Sequence, residues 1–136
     1  MDKFITGVTS VVASIVASLF GVIDMPIQGL LWFMLFDILS GLIKAVYIKK
    51  LDSTIMWKGL LKKSGILLVI CVANRMDIVL NMESMMIRNT ACMFYIAMEG
   101  LSLVENLGQI VELPKFIVNI LNKLHDDSDT GGKENV

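Results

Sequence analysis

Charged and amide side chains interrupt the long apolar stretches of this sequence at helical spacing. Each residue of an α-helix turns about 100°, so Asp37, Gly41 and Lys44 in FDILSGLIKA share one helix face. Carboxylates in such surroundings line water-filled cavities or ion pathways, or they form interhelical hydrogen bonds. The same device recurs later in the chain, on faces that carry Asn74 with Asp77, and Glu99 with Ser102 and Asn106.

Two interpretations of these polar residues are open. A charge at the centre of a membrane helix costs about 2.5 to 3.5 kcal/mol. That cost favours a functional role in a cavity or pathway for Asp37 and Glu99. For Asn74, Ser102 and Asn106 we favour hydrogen bonds that hold helices together.

Arg75 and Asp77 lie two residues apart and point to different faces of their helix. They cannot neutralise each other within that helix. We expect this segment to be stable only with partner helices, and we include Arg75 among the candidate pore residues.

The sequence contains no nucleophile–base pair and no ligand set for a metal. His125 stands alone in a polar stretch, and Cys71 and Cys92 lack CxxC spacing. We therefore expect neither catalysis nor a cofactor or metal. A net charge of −1 without a basic face also argues against nucleic-acid binding.

The polar residues are positioned by four apolar segments, at about 4–23, 27–48, 64–80 and 85–104. The chain is 55% hydrophobic and 18% charged, and each segment is long enough to cross a bilayer as a helix. The sequence predicts an all-α integral membrane protein with three to four transmembrane helices. A signal peptide is the alternative for segment 4–23, but MDK carries no net positive charge there.

Orientation follows from the lysines between the second and third segments. The positive-inside rule places this basic loop in the cytoplasm, and both termini then lie inside as well. The loop lysines are Lys49, Lys50, Lys58, Lys62 and Lys63.

Pro114 suits the first turn of a short amphipathic helix at 114–124, on the inner membrane surface or packed against the basic loop. Residues 1–124 would form a single domain. The polar stretch 125–136 is expected to be disordered.

The first segment carries two adjoining rows of small residues at four-residue spacing. Such rows let membrane helices approach closely, so this face is a candidate for helix association. The rows are Ser10, Ser14 and Ser18, and Ala13, Ala17 and Gly21.

From about residue 30 to 121 the chain resembles the toxin-secretion/phage-lysis holin family. The resemblance lies in FDILSGLIKA, KKLDSTIMWKGLLKK, VANRMDIVL and YIAMEGLSLVENLGQIVELPKFI, in that order. The residues that match are Asp37, Gly41, Lys44 and Ala45; Ser53, Gly59, Lys62 and Lys63; Asp77; and Glu99, Gly100, Ser102, Glu105, Asn106, Leu113, Pro114 and Lys115. The first apolar segment is not part of this match.

The resemblance implies a phage-encoded protein of the host cytoplasmic membrane. It would oligomerise with its own copies into lesions that release an endolysin, which need not touch it. A toxin-export pore, a narrow ion channel or transporter, and a passive membrane subunit are the alternatives. The size of what crosses the membrane separates them.

Overall fold

The computed structural model describes residues 1–131, and the side chains of residues 1–123; residues 132–136 lie outside the described part. Within this part the chain is all α-helical, which confirms the all-α part of the predicted fold class. The helices are α1 (Asp2–Phe20), α2 (Met25–Tyr47), α3 (Ser53–Val79), α4 (Met86–Gly108) and α5 (Lys115–Gly131).

The helix boundaries have local causes. Gly21 follows α1 with a φ of 75°, a conformation that L-residues rarely adopt. Pro26 lies in the first turn of α2, where its missing N–H has no partner to lose. Asp52 caps α3 by accepting a hydrogen bond of 2.8 Å from the Thr54 N–H.

Helix α4 is the centre of the bundle, because it packs against both α2 and α3. Helix α1 packs against α3 and contains no buried residue. The buried apolar core is small, and most large apolar side chains face outward. A membrane bundle has this distribution, since lipid is as apolar as its interior. The core consists of Ile27, Leu30, Met34, Ile66, Ile70 and Cys92.

Two helices, α1 and α2, are long and apolar enough to cross a membrane by length and composition. Among the described residues, α3 and α4 are of sufficient length but less apolar.

The third helix begins at Ser53, eleven residues before the predicted start of the third segment at 64. Lys58, Lys62 and Lys63 therefore lie on α3, and the basic loop predicted for them is wrong. Only Lys49 and Lys50 lie in the connection between α2 and α3. The reason is local: Asp52 caps the helix, and no proline follows to interrupt it.

The predicted surface helix at 114–124 corresponds to α5, which continues to Gly131. Residues 125–131 of the stretch expected to be disordered are thus helical, since no proline or glycine precedes Gly131 there. Residues 132–136 of that stretch lie outside the described residues.

Candidate functional site

Six polar side chains from three helices meet between α2, α3 and α4, and we call them the central polar cluster. They are Asp37, Ser40 and Lys44 on α2, Lys63 on α3, and Glu99 and Asn106 on α4.

Lys63 is the hub of the central polar cluster. Its ammonium donates to Asp37 Oδ2 at 2.8 Å and also to the Glu99 carboxylate. Lys63 is 7% exposed and Glu99 is 4% exposed, so these charges are shielded by the bundle itself. One lysine thereby joins carboxylates from the two other helices.

Asn106 completes the cluster by bonding to three side chains of α2. Its amide Nδ2 donates to Asp37 Oδ1 at 3.1 Å and to Ser40 Oγ at 3.2 Å. Its Oδ1 accepts from Lys44 Nζ at 3.4 Å. A Cβ on Gly41 would lie 3.6 Å from the same Nδ2, which is an ordinary contact.

The hub binds two carboxylates with one ammonium, which leaves one formal negative charge. Buried ions are costly unless they are paired and hydrogen-bonded. Removing Lys63 would leave Asp37 and Glu99 without a directly bonded cation, because Lys44 reaches the cluster only through the Asn106 amide. The cluster thus holds α2, α3 and α4 together only while its own partners are all present.

A second polar group, the α1 anchor, lies where α1 ends. Asn74 Nδ2 donates to the Leu19 carbonyl at 3.0 Å. Arg88 Nη1 donates to the Phe20 and Val22 carbonyls at 3.1 and 3.3 Å, and its Nη2 pairs with Asp24. The final carbonyls of a helix have no partner within that helix, so these side chains supply one.

Arg75 adds to the α1 anchor from the surface of α3. Its guanidinium donates to Ser18 Oγ at 2.8 Å and also to the Ser18 carbonyl. Arg75 is exposed, whereas Asn74 and Asp77 are completely buried. Arg75 and Asp77 therefore point to different faces of α3, as the sequence predicts.

Asp77 joins α3 to α4 by capping the first turn of α4. Its carboxylate accepts from the backbone N–H groups of Ile87 at 3.0 Å and Arg88 at 2.8 Å. Helix N-termini favour such carboxylates, because their first N–H groups are otherwise unpaired.

The central polar cluster forms one polar layer, and the α1 anchor together with Asp77 forms a second. The apolar core lies between them. Arg88 and Glu99 are eleven residues apart on α4, which corresponds to about 16 Å. Asp77 and Lys63 are fourteen residues apart on α3, which corresponds to about 21 Å.

The structure brings together some of the candidate pore residues and separates others. Asp37, Gly41, Lys44, Glu99 and Asn106 meet in or against the central polar cluster. Ser102 is half-buried on α4 and is not a member. The remaining candidates, Asn74, Arg75 and Asp77, lie at the opposite polar layer.

Sequence reasoning assigned Lys63 to a loop and missed its role as the hub. A signal was present, because the buried residues of α3 repeat at helical spacing back to Lys63. These residues are Lys63, Ile66, Ile70, Ala73, Asn74 and Asp77.

The small residues of α1 are exposed from Ser10 to Ser18, while Gly21 is half-buried in the turn that follows. Ser10 Oγ donates to the Thr6 carbonyl, and Ser14 Oγ donates to the Ser10 carbonyl, both at 2.8 Å. These hydroxyls are satisfied within the helix, so this face is compatible with lipid or with another helix.

Among the residues that the structure describes, no three His, Cys, Asp or Glu side chains are grouped to hold a metal ion. The fold and the polar contacts describe a small all-helical bundle with two helices apolar enough to cross a membrane and with ion pairs between its helices.

The bacteriophage holin family matches residues 14–126, and the chain belongs to that family. A probable holin of Bacillus phage phi105 is 40% identical over 94 residues, which cover 68% of this chain and 69% of the relative. An uncharacterised protein of Clostridium perfringens strain 13 is 38% identical over 112 residues, covering 82% and 83% of the two chains. Comparison with solved structures gave no match.

Proposed function

We propose that this chain is a holin that accumulates in the host cytoplasmic membrane and forms lesions through which an endolysin escapes. Membership of the bacteriophage holin family and the similarity to a probable phage holin support this role. The helices α1 and α2, which are apolar enough to cross a membrane, agree with it.

In the proposed topology α1 to α4 cross the membrane and both termini lie inside. The inner side holds Lys49 and Lys50 in the connection and Lys58 and Lys62 on the first turns of α3. This distribution follows the positive-inside rule. The apolar side chains of α5 would rest on the inner membrane surface.

The single chain represents a closed state. The observation that carries this proposal is the pairing of Lys63 with both Asp37 and Glu99 inside one bundle. If neighbouring chains were required to neutralise these charges, the carboxylates would remain unpaired within the single chain. We therefore propose that a lesion forms when the bundle rearranges and these side chains exchange their partners for water or for other copies.

Association between copies would use the exposed small residues of α1 from Ser10 to Ala17, because Ser18 contacts Arg75 and Gly21 is half-buried. Close helix approach across such rows is favourable in lipid, because packing replaces the absent hydrophobic driving force. In this proposal α1 joins copies while the central polar cluster keeps each copy closed.

The test is inducible expression in a bacterium, with and without a cytoplasmic endolysin. Culture turbidity and the leakage of dyes of increasing size are measured after induction. Abrupt lysis that requires the endolysin is the expected result. Growth arrest with an ion leak alone would replace the proposal with a narrow channel. If the membrane stays impermeable with the chain present, the proposal would be replaced with that of a passive membrane subunit.

A second measurement distinguishes endolysin release from toxin export. The endolysin is replaced by a folded cytoplasmic reporter of similar size. A lesion of the proposed kind releases both proteins, whereas a dedicated export pore releases only its own cargo.

A further inference from the structure

A cleft of about 540 Å³ lies between α2 and α3. Its α2 wall extends from Asp37 to Ala45, and its α3 wall extends from Ser53 to Lys63. The Lys63–Asp37 ion pair therefore lies at one border of the cleft, and the short connection between the two helices lies at another.

The cleft walls are largely apolar and exposed, and Asp37, Lys63 and Asn106 of the central polar cluster also line the cleft. Trp57 is 60% exposed, and Ile55, Met56 and Leu60 beside it are also exposed. Leu42 faces the cleft from α2. A concave surface of this kind marks a binding site for an apolar group.

The mouth of the cleft is polar and lies beside an excess of positive charge. Lys50 lines the mouth together with Asp52 and Ser53. The Asp52 carboxylate is engaged in capping α3, because it accepts the Thr54 N–H. Four lysines against one aspartate leave three net positive charges over residues 49–62, the lysines being Lys49, Lys50, Lys58 and Lys62.

We propose that the cleft binds an anionic glycerophospholipid. One acyl chain lies between Leu42 and Trp57, and the phosphate lies on Lys50 at the mouth. Charge decides between this occupant and a second copy, since a symmetric second copy would bring an identical lysine-rich rim against this one. Anionic lipid at the inner membrane surface is attracted to such lysines.

This inference goes beyond the proposed function and needs only that the full chain enters a bilayer. The chain is reconstituted in vesicles of equal parts phosphatidylglycerol and phosphatidylcholine. Either lipid is supplied as a trace probe with a photoreactive acyl chain, and the labelled residues are mapped by mass spectrometry. We expect labelling at the cleft walls, about fivefold stronger for the anionic probe, as one lysine at a membrane surface confers.

Two matched pairs of variants test the site itself. Lys50→Gln should lower anionic labelling of the cleft about fivefold, whereas Lys62→Gln, which removes the same charge outside the lining, should lower it less. Leu42→Trp should fill the cleft and abolish labelling there. Ile43→Trp, one residue away and outside the lining, should not.

Three results would overturn the proposal. They are equal labelling around the whole circumference of α2 and α3, equal effects of the two lysine variants, and cross-linking of the cleft to another protein helix instead of lipid. Lysis activity plays no part in this readout, so failure of the lipid site and failure of the holin proposal are separate outcomes.

Discussion

Lys63 on α3 and Asp37 on α2 form a 2.8 Å ion pair that borders the cleft between these helices. On the side toward their connection lies an open cleft, and on the other side lies the apolar core. The same ammonium also binds Glu99 of α4. One buried lysine therefore fixes the relative positions of three helices.

Lys63→Met should destabilise the folded bundle by about 3 to 5 kcal/mol, because the buried Glu99 carboxylate and the half-buried Asp37 carboxylate lose the cation bonded to both. Lys62→Met removes an exposed neighbour and should have little effect. The midpoint of thermal unfolding in detergent measures both variants. The double variant Lys63→Met with Glu99→Gln should recover part of the loss; no recovery would mean that the carboxylates do not repel each other.

Asp37→Asn should alter the time at which lysis begins, because it weakens the closed state at the ion pair with Lys63. The expected direction is earlier lysis. Leu39→Val, an exposed apolar change on the same helix, should leave the timing almost unchanged. Turbidity after induction, at matched protein levels, measures both. Equal shifts from the two variants would remove any special role for the carboxylate.

Gly21→Ala should destabilise the junction between α1 and α2. The residue has a φ of 75°, and a Cβ would lie 2.8 Å from Asn74 Oδ1 and 2.9 Å from Arg88 Nη1. A strained backbone of this kind costs about 1 to 3 kcal/mol. Gly7→Ala is the control, since a Cβ there meets nothing within 4 Å. Unfolding midpoints that fall equally for both would contradict the assigned contacts.

Arg88→Met should loosen α1, because the Phe20 and Val22 carbonyls and the Asp24 carboxylate lose their donor. We expect greater thiol reactivity of a cysteine introduced at Leu19 in this variant. Arg75→Met removes an exposed arginine from the same anchor and should increase the reactivity less. The opposite order would show that surface contacts, not buried ones, hold α1.

Ser14→Leu should reduce cross-linking between copies, because it interrupts the exposed row of small residues on α1. Val12→Leu adds bulk about 200° away around the helix and serves as the matched control. Chemical cross-linking in isolated membranes, resolved by gel, compares the two. Reduced cross-linking from Val12→Leu alone would place the association face on the other side of α1.

Much of this molecule follows from the order of residue types. Long apolar segments predicted four helices, and each segment overlaps one of α1 to α4, although α3 extends eleven residues further toward the N-terminus than predicted. The 100° turn per residue also predicted that Asp37, Gly41 and Lys44 share one helix face. In the structure this face lies against Asn106. These are local properties, since they depend only on residues within one helix.

The partners of the charges could not be predicted, because each partner belongs to a different helix. No local sequence pattern indicates that Lys63 lies between Asp37 and Glu99, which are 26 and 36 residues away along the chain. The sequence by itself determined the four apolar helical segments and which of their faces are polar, but not the start of α3 at Ser53. Tertiary structure alone decided that those faces meet in pairs, because burying a charge is favourable only where a partner from another helix arrives.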